Sequence, residues 1–158
     1  MVESSLSSFI TFDPATSHFP LQNIPFGTMQ HKDGSVTCCT RIGDQVVDLS
    51  KLEAAGLFNG EHFSKLTRKD IFAQRYLNDF MELGKDYWHE ARVTLQSLFS
   101  SSNKALQDNA DLLKSCLHAA STVTHTIPVK IGDYTDFYSS KNHAYNVGVM
   151  FRGPDNAL

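Results

Sequence analysis

The sequence is poor in the residues that would tie it to several common protein classes. Only three cysteines occur, Cys38, Cys39 and Cys116. The number is odd and two are neighbours, which argues against a disulfide framework. No Cys/His spacing fits a structural zinc site. No run of about 18 apolar residues is present to span a bilayer. The start, MVESSLSSFITF, has neither a basic region nor a long apolar core, so it does not read as a secretory leader. Lys and Arg number 14 against 17 Asp and Glu, for a net charge of −3, and no basic cluster forms the face a nucleic-acid binder needs. Internal repeats, low-complexity tracts and long Gly/Ser linkers are absent as well. These absences leave a protein of a reducing compartment, expected in the cytoplasm, with no nucleic-acid or membrane partner. At 158 residues and 41% hydrophobic content, the chain can bury one substantial core.

What is present changes along the chain. Residues 1–26 carry Pro14, Pro20 and Pro25, and read as extended chain laying Phe and Leu side chains on a core. Next, GTMQHKDGSVTCCTRIGDQVVDLS places Asp33-Gly34 and Gly43-Asp44 between β-favouring runs. This predicts strands over 26–31, 35–42 and 45–49 joined by tight hairpins. Three short antiparallel strands imply a small barrel or curled sheet, with one of Cys38 and Cys39 facing inward and the other outward. Ser50 and Glu53 have capping-box spacing for a short helix ending near Gly56. Helices are further predicted over 68–80, over KDYWHEARVTLQSLFSS with Trp88, Ala91, Leu95, Leu98 and Phe99 on a core face, and over 104–114 with Leu106, Leu112 and Leu113 inward.

Beyond this the texture becomes β-branched and aromatic, and Pro128 excludes a continuing helix. A boundary is placed at 118–128, dividing a unit over 1–125 from a second over 126–158. The segment IGDYTDFYSSKNHAYNVGVMFR, residues 131–152, concentrates two aspartates, three tyrosines, a histidine and an arginine. Read as strand or loop, it sends Asp133 and Asp136 to opposite faces, so they do not form a catalytic pair. One caps a turn and the other lies in solvent, or one of them ligates a hard cation with donors from elsewhere. His143, among small and polar neighbours, is a candidate general base, set against the commoner surface or core histidine. Tyr138 and Arg152 are candidates for an anionic ligand, set against an exposed aromatic and a solvated charge. Tyr134, Phe137 and Tyr145 read as packing residues. Histidines 18, 31, 62, 89, 118 and 125 form no close-spaced set and read as structural.

KIGDYTDFYSSKNHAYNVGVMFR closely resembles the segment that opens the catalytic domain of the fumarylacetoacetase family. FPLQNIPFG, RIGDQVVDLS and WHEARVTLQSLFS stand upstream in the order of that family's N-terminal domain, so the resemblance runs from about Phe19 to Leu158. It implies an α+β protein, mainly β with helices. An SH3-like small barrel with flanking helices would be followed by the first strands of a β-roll catalytic domain. It implies metal-dependent hydrolysis of the carbon–carbon bond of 4-fumarylacetoacetate to fumarate and acetoacetate, in tyrosine and phenylalanine breakdown. It implies Ca²⁺ and/or Mg²⁺ as cofactor, a small diketo acid as substrate and a homodimeric full-length enzyme. Carried over residue by residue, Asp136 matches a metal ligand, His143 the base that activates water, and Tyr138 and Arg152 substrate-binding positions. The family's other metal carboxylates, its lysine, its glutamine and the glutamate that orients the histidine lie downstream of this motif. The expectation is therefore a fragment, inactive alone, ending in a sticky exposed strand at YNVGVMF. The competing expectation is a non-catalytic interaction or regulatory module made of the N-terminal unit. A stand-alone binding barrel would account for 26–50 but not for 131–152.

Overall fold

The computed structural model describes residues 6–13, 15–135 and 137–158. Among them, strands β1 (Phe26–Gln30), β2 (Val36–Ile42) and β3 (Gln45–Asp48) form where alternating β-formers meet glycine turns. Gly34 and Gly43 carry the positive φ angles, 86° and 55°, that these turns require. Asp33 accepts the amide of Ser35 across the first turn at 2.9 Å. Two further strands, β4 (Leu117–Ala119) and β5 (Thr124–His125), were not predicted. They add to the two edges of one antiparallel sheet, in the order β4-β3-β2-β1-β5. Sequence distance hid this pairing, since β5 meets β1 at Met29–His125 and β4 meets β3 at Val47–Leu117.

Both sheet faces are covered. Cys38 packs with Ile42, Val47, Leu49 and the helices, while Cys39 packs on the other face with Met29, Val46 and Val123. The two cysteines do point to opposite faces, but neither faces solvent. Phe58, Phe63, Phe72 and Phe80 fill the main core, with Phe58 and Phe72 ring centroids 4.6 Å apart. Leu21 and Ile24 of the proline-rich leader are buried in it.

The helices are α1 (Leu49–Ala54), α2 (Asn78–Glu82), α3 (Lys85–Leu98), α4 (Lys104–Gln107), α5 (Ala110–Cys116) and α6 (Lys141–Arg152). They hold more residues than the strands, so the class is α+β without the predicted dominance of β. None is long and apolar enough to cross a membrane among the described residues.

Several local expectations are corrected. Asp48, not Ser50, caps α1, accepting the Ser50 amide at 2.9 Å. Glu53 does not complete a capping box. Its carboxylate takes the amides of Ile71 and Phe72 at 2.8 and 2.9 Å. Those bonds, together with Cys38 N–H donating to the Phe72 carbonyl, hold 71–77 in turns where a helix was expected. The 104–114 helix is broken in two, each piece capped by an asparagine, Asn103 and Asn109. Trp88 is not core but 41% exposed, with its indole N–H on the Phe80 carbonyl. The buried face of α3 is Ala91, Leu95 and Leu98.

The largest correction concerns 141–152, expected as strand or loop and found as α6. Ser140 supplies an N-cap and Gly153, at φ 78°, ends the helix. The stretch YNVGVMF is therefore not an exposed strand edge, because helical backbone groups are paired within the segment. Its largest apolar side chains remain exposed, Phe151 by 81% and Met150 by 73%.

Candidate functional site

Residues 128–130 are fastened to the body of the protein before the chain leaves it. Leu77 N–H donates to the Pro128 carbonyl at 2.8 Å. The Asn78 side chain accepts the Lys130 amide at 2.8 Å and donates to the Lys130 carbonyl at 3.1 Å. From Lys130 to Ser140 every described residue is exposed, and none lies in a helix or strand. The chain then enters α6 at Lys141.

That geometry sorts the four candidate residues. Tyr138 lies just ahead of the helix and His143 in its first turn, with their rings 5.6 Å apart and tilted by 42°. Ser140 Oγ accepts the His143 backbone amide at 3.4 Å, which sets where the helix begins and hence where the imidazole stands. Both rings are exposed, so the pair forms an open surface rather than a closed pocket. Arg152 is nine residues beyond His143. At 100° per residue this puts the two on opposite sides of α6, separated by about 13 Å along its axis. The structure thus joins Tyr138 to His143 and does not join either to Arg152. One edge of its guanidinium is bonded locally, with Nε donating to the Asn156 carbonyl at 3.0 Å and Nη2 to the Ala157 carbonyl at 2.9 Å. Asp136 lies outside the described residues.

No group of three or more His, Cys, Asp or Glu side chains able to hold a metal ion occurs among the described residues. Those residues do not by themselves fit a divalent cation, which takes six or more oxygen donors. The three thiols are poor nucleophiles. Burial pushes Cys38 and Cys39 up to about 12 and Cys116 to about 11.

A second polar group was missed by sequence reading. Asp48 is fully buried and its Oδ1 accepts from Ser50 Oγ at 2.6 Å and from Thr37 Oγ1 at 3.2 Å. His31 Nε2 lies 2.8 Å from Thr37 Oγ1 and 3.5 Å from Asp48 Oδ2. The His118 ring stands edge-on to His31 at 6.1 Å. These histidines are far apart in sequence, and only the pairing of β4 with β3 brings them together. Placed beneath a hairpin and at a helix cap, the group fixes the sheet to α1.

The fold and its appended helix define an α+β protein that carries a five-stranded sheet and displays a Tyr–His pair at a capped helix start. Residues 22–128 match the family described as "Fumarylacetoacetase N-terminal". The chain is 47% identical over 156 residues to a fumarylacetoacetase of Dictyostelium discoideum, covering 98% of this chain and 35% of the relative. It is 45% identical over 154 residues to one of Arabidopsis thaliana, covering 97% and 36%. Against one of Homo sapiens it is 46% identical over 143 residues, covering 90% and 33%. The chain belongs to the fumarylacetoacetase family, and it spans about a third of the length of these relatives.

Proposed function

We propose that this chain forms the N-terminal part of a fumarylacetoacetase and contributes one side of its active site. The observation that carries the reading is the Tyr138–His143 pair, set at the start of a capped helix beyond the sheet domain. In this reading residues 1–125 are an SH3-like domain and 126–158 begin the catalytic domain. The last strand of the sheet, β5, ends at His125, which supports a unit ending near residue 125.

The reaction assigned is hydrolysis of the carbon–carbon bond of 4-fumarylacetoacetate. His143 accepts a proton from water, whose oxygen adds to the carbonyl carbon beside the scissile bond. That bond then breaks, its electron pair leaves as the acetoacetate enolate, and the enolate is protonated at carbon while fumarate forms. Tyr138, beside His143, is assigned to hydrogen-bond the substrate, and Arg152 to a substrate carboxylate. A divalent cation, Ca²⁺ and/or Mg²⁺, belongs to the reading through family resemblance. Asp136 is the ligand assigned in this chain, and the other donors are assigned to polypeptide beyond it. The reading also places the enzyme in the cytoplasm as a homodimer.

The test joins residues 1–158 to the part of the Dictyostelium relative that they do not cover. The joined protein is expected to hydrolyse 4-fumarylacetoacetate and the 158-residue chain alone to be inert. In the joined protein His143→Ala should lower kcat by about 10²- to 10⁴-fold, the usual worth of a positioned general base. An unchanged rate in that variant refutes the role of His143. Micromolar binding of Mg²⁺ or Ca²⁺ by the chain alone, read by calorimetry, refutes the assignment of the missing donors to other polypeptide. The self-contained sheet and core favour one second reading, a non-catalytic module. It predicts an inert joined protein.

A further inference from the structure

We propose that residues 153–157 form a clamp that pre-orients the Arg152 guanidinium, and that Gly148 is the seat on which the clamp closes. The role given to the clamp rests on the reading of Arg152 as a carboxylate-binding residue.

The chain turns back on α6 as soon as the helix ends. Gly153 takes φ 78° and ψ 165°, a left-handed-side conformation that residues other than glycine avoid. Pro154–Asn156 makes one 3₁₀ turn, and Ala157 is buried to 2% exposure although nearly everything around it is open. The surface it lands on is Gly148, one helical turn before Arg152 and therefore on the same face. A Cβ at Gly148 would run into the Ala157 carbonyl oxygen and sit 2.8 Å from its Cα. These are backbone atoms, which cannot rotate aside as a side-chain tip can. Only glycine lets the returning strand approach this closely.

The consequence falls on Arg152. Its Nε and Nη2 hydrogens, which make one edge of the planar fork, donate to the carbonyls of Asn156 and Ala157. The guanidinium carries five N–H donors in fixed geometry, so fixing that edge fixes the direction of the rest. The end formed by Nη1 and the second Nη2 hydrogen stays free on an exposed side chain. Two parallel N–H groups at that end match the two oxygens of a carboxylate. An unclamped arginine has to be ordered when its ligand binds, whereas a clamped one is ordered beforehand. Gly148 and Gly153 are in this account positioning residues, acting through Arg152 and touching no substrate.

The test uses the whole 158-residue chain, labelled for side-chain NMR, with fumarate as probe. In the unaltered chain the Arg152 Nε–H signal should exchange slowly and move on fumarate addition. Gly148→Ala should speed that exchange and raise the fumarate concentration at half-saturation by about threefold to tenfold, the equivalent of ordering one rotamer-rich side chain. Alanine favours helix over glycine, so far-UV helicity should hold or rise while the clamp is lost. Gly153→Val, which leaves α6 untouched and blocks the turn, should give the same two changes. Arg152→Lys, lacking the fork, should abolish the response to fumarate. Slow exchange kept in both glycine variants overturns the clamp itself, whatever the protein's activity. Fast exchange with unchanged fumarate affinity overturns the positioning role and leaves a helix cap. An Arg152 signal indifferent to fumarate in the unaltered chain, with the exchange changes as expected, refutes the carboxylate reading on which the role depends.

Discussion

At the scale of single residues, Asp48 holds more of the fold together than its place at the end of a strand suggests. Its carboxylate is fully buried, caps α1 through the Ser50 amide, and accepts the hydroxyls of Ser50 and Thr37. His31 approaches the other oxygen at 3.5 Å. Removing it leaves the Ser50 amide and two hydroxyls without their acceptor. The helix cap alone is worth about 1 kcal/mol, and each stranded buried donor costs about 1–3 kcal/mol. Asp48→Ala is therefore expected to destabilise the chain by roughly 3 kcal/mol, measured as the shift of the urea unfolding midpoint at constant slope. Ser50→Ala, which keeps the carboxylate and its contact with the Ser50 amide, should cost less than half of that. Equal losses in the two variants would show that the hydroxyl, not the cap, carries the effect. The Ser50-to-Glu53 spacing in the sequence pointed two residues too late because the strand itself ends in the capping residue.

At the scale of elements, the contacts that sequence reading misplaced are those made by side chains reaching across the fold. Glu53 lies on α1 yet organises 71–72, and this is why a helix-like sequence over 68–80 shrinks to Asn78–Glu82. Burial is the main influence on its carboxyl and pushes it above the usual range, while the amides of Phe72 and Ile71 pull it back. A carboxyl whose folded value is raised contributes its stability fully below its unfolded value, near 4.5, and loses it as pH rises through the folded one. Glu53→Gln removes that dependence and strands one amide. The variant should be less stable by about 1–3 kcal/mol at low pH, with the gap narrowing as pH rises above 4.5. Urea midpoints of both proteins across that range check it, and a gap that widens with pH contradicts it. The hairpins, by contrast, were legible because Gly34 and Gly43 leave little choice of turn. The start of α6 carried its own signals, Ser140 before it and Arg152 with Gly153 at its end. They were outweighed by the β-branched and aromatic texture of 121–138, which belongs to the approach and not to the helix. Of the candidate site, the nearness of Tyr138 and His143 follows from sequence proximity once the helix start is known. The separation of Arg152 follows only from the helix itself, since nine residues of strand would have left both side chains free to choose a face.

At the scale of the whole molecule, the chain divides by how it is held. The chain stays fastened to the body of the protein as far as Lys130, where the Asn78 side chain holds both backbone groups. After Ser140, α6 packs against its own 3₁₀ turn over Pro154–Asn156. Between them lie residues 131–140, exposed wherever described and carrying Tyr134, Phe137 and Tyr138, all sites for chymotrypsin. Cleavage needs an open, unpaired backbone of several residues, and local opening costs least where few buried contacts have to be broken. Limited chymotrypsin should thus cut first at one of these three aromatics and leave a stable product reaching back through the sheet, read by intact mass. The aromatic residues of the core, Phe58, Phe63, Phe72 and Phe80, are buried and should be spared until the domain unfolds globally. A first cut inside 26–125 would mean that the sheet unit is the weaker part. No cut at all between 131 and 140 would mean that this segment is covered in solution, by a second copy or by another polypeptide. A dilution series would separate the two, since protection by a second copy fades with concentration and protection by a different partner requires that partner's mass in the preparation.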